Sequence, residues 1–266
     1  MRPDEQPRTR LQTPMYDERL SKAIARIDAE REAVRTERAA FEEFAEELRA
    51  LEVPVRRTDV AGAPTLVEST PDTELLQSVR RAYRSTVMAV PEYDEQYGES
   101  LRENMAAELD EDVAVAVVDG ARFTRPLKSV LLQQIRVAVE TRTDLLDALR
   151  RERAAIRDAS ELLERGEDRL EPLTAGGLTS RPFDELVTIE RQLRREIDRC
   201  EQLLDDRQRD IHRQRWQFPR GDTQLLQEYL YREFDTTYPV VTTALDRIDQ
   251  LSDNHSTVVR AISRSS

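Results

Sequence analysis

Few residues in this chain suit acid–base or nucleophilic chemistry: His212, His255, Cys200 and seven tyrosines. A cysteine–histidine pair would make a thiolate nucleophile, and a serine–histidine–carboxylate set an activated hydroxyl, but either needs its members held together rigidly. Cys200 and His212 share one helical stretch and stand roughly 18 Å apart by helical rise, which excludes a pair within the chain. His255 falls in the polar stretch "SDNHST". Cys200 lies on a hydrophobic seam, the place of a buried inert thiol. There is no zinc-ligand spacing, no Glu-x-x-His, no Walker A motif and no Gly-x-Gly-x-x-Gly. The carboxylates of Glu42, Glu43, Glu46 and Glu47 read as the solvated face of a helix. No catalytic residue, cofactor or metal site is assigned, and the chain is not expected to be an enzyme.

The remaining candidates are aromatic. Three tyrosines, Tyr83, Tyr93 and Tyr97, fall in "RAYRSTVMAVPEYDEQYG", and Tyr229, Tyr231 and Tyr238 fall in "YLYREFDTTYP". Trp216 sits in the basic run "RDIHRQRWQFPRG". Core packing accounts for the tyrosines, and a pocket lined by their hydroxyls is the functional alternative. The basic run reads as the cation-favoured end of a helix packed by Trp216 and Phe218, or as a contact for an anionic partner or RNA.

The elements that hold these residues follow from periodicity. Positions alternating by three and four run Leu20, Ala23, Ile27, Glu30, Val34, Glu37, Phe41, Phe44, Leu48 and Leu51. That heptad seam predicts a stalk helix over 15–52, after a disordered N-terminus at 1–14. The proline-bearing stretch 53–71 is a linker. Residues 72–123 form the first part of a helical head, with Pro91 breaking it. "DVAVAVVDG" has strand-like alternation but follows a strongly helical stretch, and helix is assigned. A second seam runs Leu131, Ile135, Ala138, Arg142, Leu145, Leu149, Glu152, Ile156, Ala159, Leu163, Gly166 and Leu170. A third runs Phe183, Leu186, Glu190, Leu193, Ile197, Cys200, Leu204, Arg207, Ile211, Gln214 and Phe218. The turn "EPLTAGGLTSRP" between them makes residues 124–218 an antiparallel coiled-coil hairpin, with the first helix antiparallel to its first arm. Residues 222–251 supply the second part of the head, and 252–266 a disordered tail. The expected fold is all-α: a long antiparallel coiled-coil hairpin, a third long helix, and a small head in which the two tyrosine segments meet, with Tyr231 at the edge of that contact.

Composition bounds the function. Net charge is −12, and all but Lys22 and Lys128 of the 41 basic residues are arginine. The acidic excess disfavours nucleic-acid binding, which needs a positive field. Acidity with arginine in place of lysine fits a protein of high salt, and a GC-rich genome would also favour arginine codons. A lone cysteine forms no intrachain disulfide, no apolar run is long enough to span a membrane, and the polar start lacks a secretory signal, so a cytoplasmic location is expected.

The stretches "ERAAFEEFAEELRAL", "VRRAYRSTVMAVPEYDEQYGESLRENMAAEL", "ARFTRPL", "CEQLL" and "YLYREFDTTYPVVTTALDRID" resemble a family of uncharacterised haloarchaeal proteins over most of residues 20–251. "YRSTVMAVPEY" and "YLYREFDTTYPV" are its most specific parts. The resemblance implies a haloarchaeal source, high salt and an all-α fold, and carries over no activity or catalytic residue. The expected role is a structural or interaction module that binds a protein partner or itself. The alternative is a ligand-sensing or transcription-linked regulator that uses the tyrosine-rich head.

Overall fold

The computed structural model describes residues 15–53, 72–90, 100–174, 181–213, 215–217 and 223–265. The expected disordered start and nearly all of the 53–71 linker, along with Tyr93 and Tyr97, lie outside them. The fold is all-α with a helical hairpin. Its helices are α1 (Met15–Ala50), α2 (Asp72–Ser85), α3 (Leu101–Glu108), α4 (Glu111–Val118), α5 (Arg125–Thr174), α6 (Phe183–Arg213), α7 (Leu226–Leu230) and α8 (Pro239–Ser265). Residues Arg215–Gln217 (β1) and Thr223–Leu225 (β2) pair as a small two-stranded ribbon.

The seams of α1 and α5 are buried as read. Leu20, Ile27, Phe41, Phe44 and Leu48 are at most 1 % exposed, and so are Leu131, Ile135, Leu149 and Ile156. The α6 seam is rotated by part of a step. Ile189 and Glu196 are buried where Glu190 and Ile197 were expected, and Phe183 is 45 % exposed. The helical arm also stops at Arg213, short of the expected Phe218. The chain pairs there as β1 with β2.

The chain divides into two compact units. One comprises residues 1–28, 150–216 and 224–266, the other 29–149 and 217–223. In the second unit Phe41, Phe44, Tyr83, Met105, Val117 and Phe123 belong to one core. Its short helices owe their ends to named side chains. Ser100 and Glu103 form a reciprocal capping box at the start of α3. The Asp110 carboxylate accepts from the amides of Asp112 (2.9 Å) and Val113 (3.2 Å) to start α4. This cap, together with the burial of Val113, Ala114 and Val117, makes the strand-like "DVAVAVV" a helix. Gly120 ends it, since a Cβ there would lie 2.1 Å from the Ala116 carbonyl oxygen. Arg80 then donates to the free carbonyls of Val117 (2.8 Å) and Val118 (2.7 Å). Lys128 does the same for α1, with Nζ 2.9 Å from the Arg49 oxygen and 2.6 Å from that of Leu51.

In the first unit α8 packs along α6. The expected tail at 252–266 is instead the second half of α8, which runs to Ser265. Val258 and Ala261 continue the buried face begun by Ala244 and Leu251. "SDNHST" hides this in sequence because its polar residues occupy the other faces of the helix.

Candidate functional site

The heptad seams contain charged exceptions, and the structure shows where they go. Glu152 of α5 is fully buried in the first unit, and three donors converge on its carboxylate. Arg207 of α6 donates from Nη2 to Oε1 at 2.5 Å, and the Tyr231 hydroxyl donates to the same oxygen at 3.0 Å. Gln227 of α7 donates from Nε2 to Oε2 at 2.9 Å. Arg207, Gln227 and Tyr231 are at most 4 % exposed. Tyr231 reaches this place because α7 is a single turn. The Tyr231 amide closes that turn on the Gln227 carbonyl at 3.0 Å, and its ring packs edge-on against Phe234 at 5.3 Å. Burial, then the charge of Glu152, pushes the Tyr231 hydroxyl far above its ordinary range, so it stays protonated and donates. Arg207 Nη1 is buried without a hydrogen-bond partner among the described residues.

The second unit contains the inverse arrangement. Arg142, another seam exception on α5, is 1 % exposed. It donates from Nε to Glu37 at 2.8 Å and from Nη2 to Glu108 at 2.6 Å. Its guanidinium carbon lies 4.4 Å from the Phe41 ring centroid, a cation–π contact. Glu37 was itself an exception in the α1 seam. The Glu37–Arg142 and Lys128–Leu51 contacts fix α1 antiparallel to α5 in this unit. Glu152–Arg207 and Arg169–Glu196 fix α5 antiparallel to α6 in the other.

These clusters could have been found in the sequence. Given antiparallel pairing, Glu37 falls opposite Arg142 and Glu152 opposite Arg207. On one helix alone these residues look like interruptions, because a single seam has no partner column. Gln227 and Glu108 carried no such signal.

The tyrosines serve these interiors. Tyr83 is fully buried, donates to Asn104 Oδ1 at 2.7 Å and meets Phe44 edge-on at 5.2 Å. Tyr229 and Tyr238 are half-buried. Tyr231, expected at an edge, is among the most deeply buried side chains. Tyr83 belongs to one compact unit, with Asn104 as its polar partner, and Tyr229, Tyr231 and Tyr238 to the other, where Glu152 receives the Tyr231 hydroxyl. Trp216 lies on β1. Cys200 is buried, and burial pushes its thiol up to about 11, which suits an inert core residue. His255, expected in a tail, is held on α8 with Nε2 2.9 Å from Glu190 Oε1.

Residues 18–255 match a domain of unknown function, DUF7260. The chain belongs to this family. No curated protein matches it, and no solved structure does. In this DUF7260 chain no helix among the described residues is long and apolar enough to cross a membrane. Chemically, three donors meet on the Glu152 carboxylate and two carboxylates meet on the Arg142 guanidinium, so each cluster ties helices together.

Proposed function

We propose that this chain is a non-enzymatic cytoplasmic module of a halophilic archaeon, built on coiled-coil helices, that works by binding a protein partner or a second copy of itself. The observation that carries this reading is a pair of open apolar residues on α5: Val130 and Val137, two turns apart on one face, are 45 % and 49 % exposed. The charged groups of the interior support it too, because they are engaged with one another. The net charge of −12 with arginine in place of lysine supports the high-salt setting.

The test is size-exclusion chromatography with light scattering at molar salt, together with reconstitution of any captured partner from purified components. A complex of fixed stoichiometry, lost in Val130→Asp/Val137→Asp with unchanged circular dichroism, supports the reading. A chain that stays monomeric and reconstitutes with nothing, or a complex indifferent to the double variant, overturns it.

A further inference from the structure

The first unit holds another buried acid, and two cations meet on it. Glu196 of α6 is 3 % exposed. Its carboxylate sits against the bare Cα of Gly166 on α5, where a Cβ would lie 3.1 Å from Oε2. Arg169 donates to both oxygens, from Nε at 2.8 Å and from Nη2 at 2.9 Å. Arg199 donates from Nη1 to Oε1. One carboxylate thus holds two guanidiniums, and Asp168 reaches Arg169 by its charge. Arg169 Nη1 and the Nε and Nη2 of Arg199 donate to no described residue.

Both residues line an open cleft of about 360 Å³, together with Arg165, Leu162 and Asp158. Arg165 is tied to Glu161 of its own helix through Nε and Nη2 at 3.0 and 2.6 Å, which leaves Nη1 without a described partner. Asp158 is the one acid in the lining, and it lies 4.0 Å from the guanidinium of Arg157. Guanidiniums held side by side repel, and an anion bound among them relieves that repulsion. Their planar forks match the oxygens of an oxyanion. The acidic chain as a whole repels anions, so binding here has to come from local contacts, which salt screens less than the long-range field.

We propose that this cleft binds a small phosphate-class oxyanion carrying two or more negative charges, held by Arg165, Arg169 and Arg199. The proposal is independent of the interaction reading, because it is measured on the isolated chain. The full chain is titrated with pyrophosphate by calorimetry at constant ionic strength set with sodium chloride. One pyrophosphate per chain is expected, and it should raise the melting temperature as ligand linkage requires. Arg199→Gln and Arg165→Gln should each weaken binding about tenfold, the loss of a charge-assisted hydrogen bond. Arg191→Gln, an exposed position of the same helix outside the cleft, should leave it unchanged. Arg165 is 65 % exposed and bonded only within its own helix, so its variant keeps the fold. No pyrophosphate binding by the wild-type chain, or binding by Arg165→Gln and Arg199→Gln as tight as that of the wild type, overturns the proposal.

Discussion

Arg142 and Glu152 stand ten residues apart on α5, and each sits at the middle of a buried ionic cluster with the signs reversed. The difference follows from the inventory of the two side chains. A carboxylate accepts at both oxygens and can be closed partly by neutral donors. Glu152 therefore needs only one cation, Arg207, with Gln227 and Tyr231 completing its shell. A guanidinium has five donors and no acceptor. Arg142 recruits two carboxylates, the Ala138 carbonyl at 3.4 Å and the face of Phe41. The surplus negative charge around Arg142 is tolerable because Glu37 keeps 21 % of its side chain exposed. The Glu152 cluster has no such outlet.

The largest expected effect tests that contrast. Arg207→Leu strands Glu152 in an apolar interior and should cost about 3–5 kcal/mol in denaturant unfolding at molar salt. The double variant Arg207→Leu/Glu152→Leu should recover most of the loss, since it removes both charges. A double variant no more stable than the single would show that the cluster's value is not electrostatic. Arg142→Met should cost less than Arg207→Leu, about 2–3 kcal/mol, because Glu37 can turn to water while only Glu108 stays buried. Equal costs would erase the distinction between an open and a closed cluster.

A smaller effect separates the tyrosines. Tyr231→Phe and Tyr83→Phe each delete one buried hydrogen bond. The first, made to a carboxylate, should cost about 1.5–3 kcal/mol and the second about 1 kcal/mol. Alkaline titration sharpens this comparison. A phenol whose folded pKa is raised contributes stability that is fully present below the unfolded value near 10 and is lost as pH rises above it. Wild-type stability should therefore fall by about 1.4 kcal/mol per pH unit above roughly pH 10, and Tyr231→Phe should lack that component. Cys200, raised to about 11, adds a decline that starts near pH 9 and disappears in Cys200→Ser. An identical alkaline slope in all three chains would remove Glu152 and burial as its cause. The smallest expected effect is that of Lys128→Met, about 0.5–1 kcal/mol, because Lys128 only caps the end of α1.

Much of the architecture was legible in the chain itself. The three-and-four spacing of Leu20 to Leu48 and of Leu131 to Leu170 determines which faces of α1 and α5 are buried, because a helix presents the same side at that interval whatever it packs against. Caps such as Asp110 and Ser100 are local, and so their helices are readable locally. The glycine-bearing sequence "EPLTAGGLTSRP" between two long seams predicts the α5–α6 hairpin for the same reason.

Tertiary structure decided the rest, because the deciding partners are distant in sequence. Whether Glu152 and Arg142 weaken a seam or complete an interior depends on Arg207 and Glu37, which only pairing of the helices brings near. Tyr231 looked like a rim residue until Glu152 drew its hydroxyl inward. "SDNHST" looked like a tail until Val258 and Ala261 met the first unit's interior. Local composition records what a segment can do alone, and a buried charge becomes favourable only when a second chain segment satisfies it.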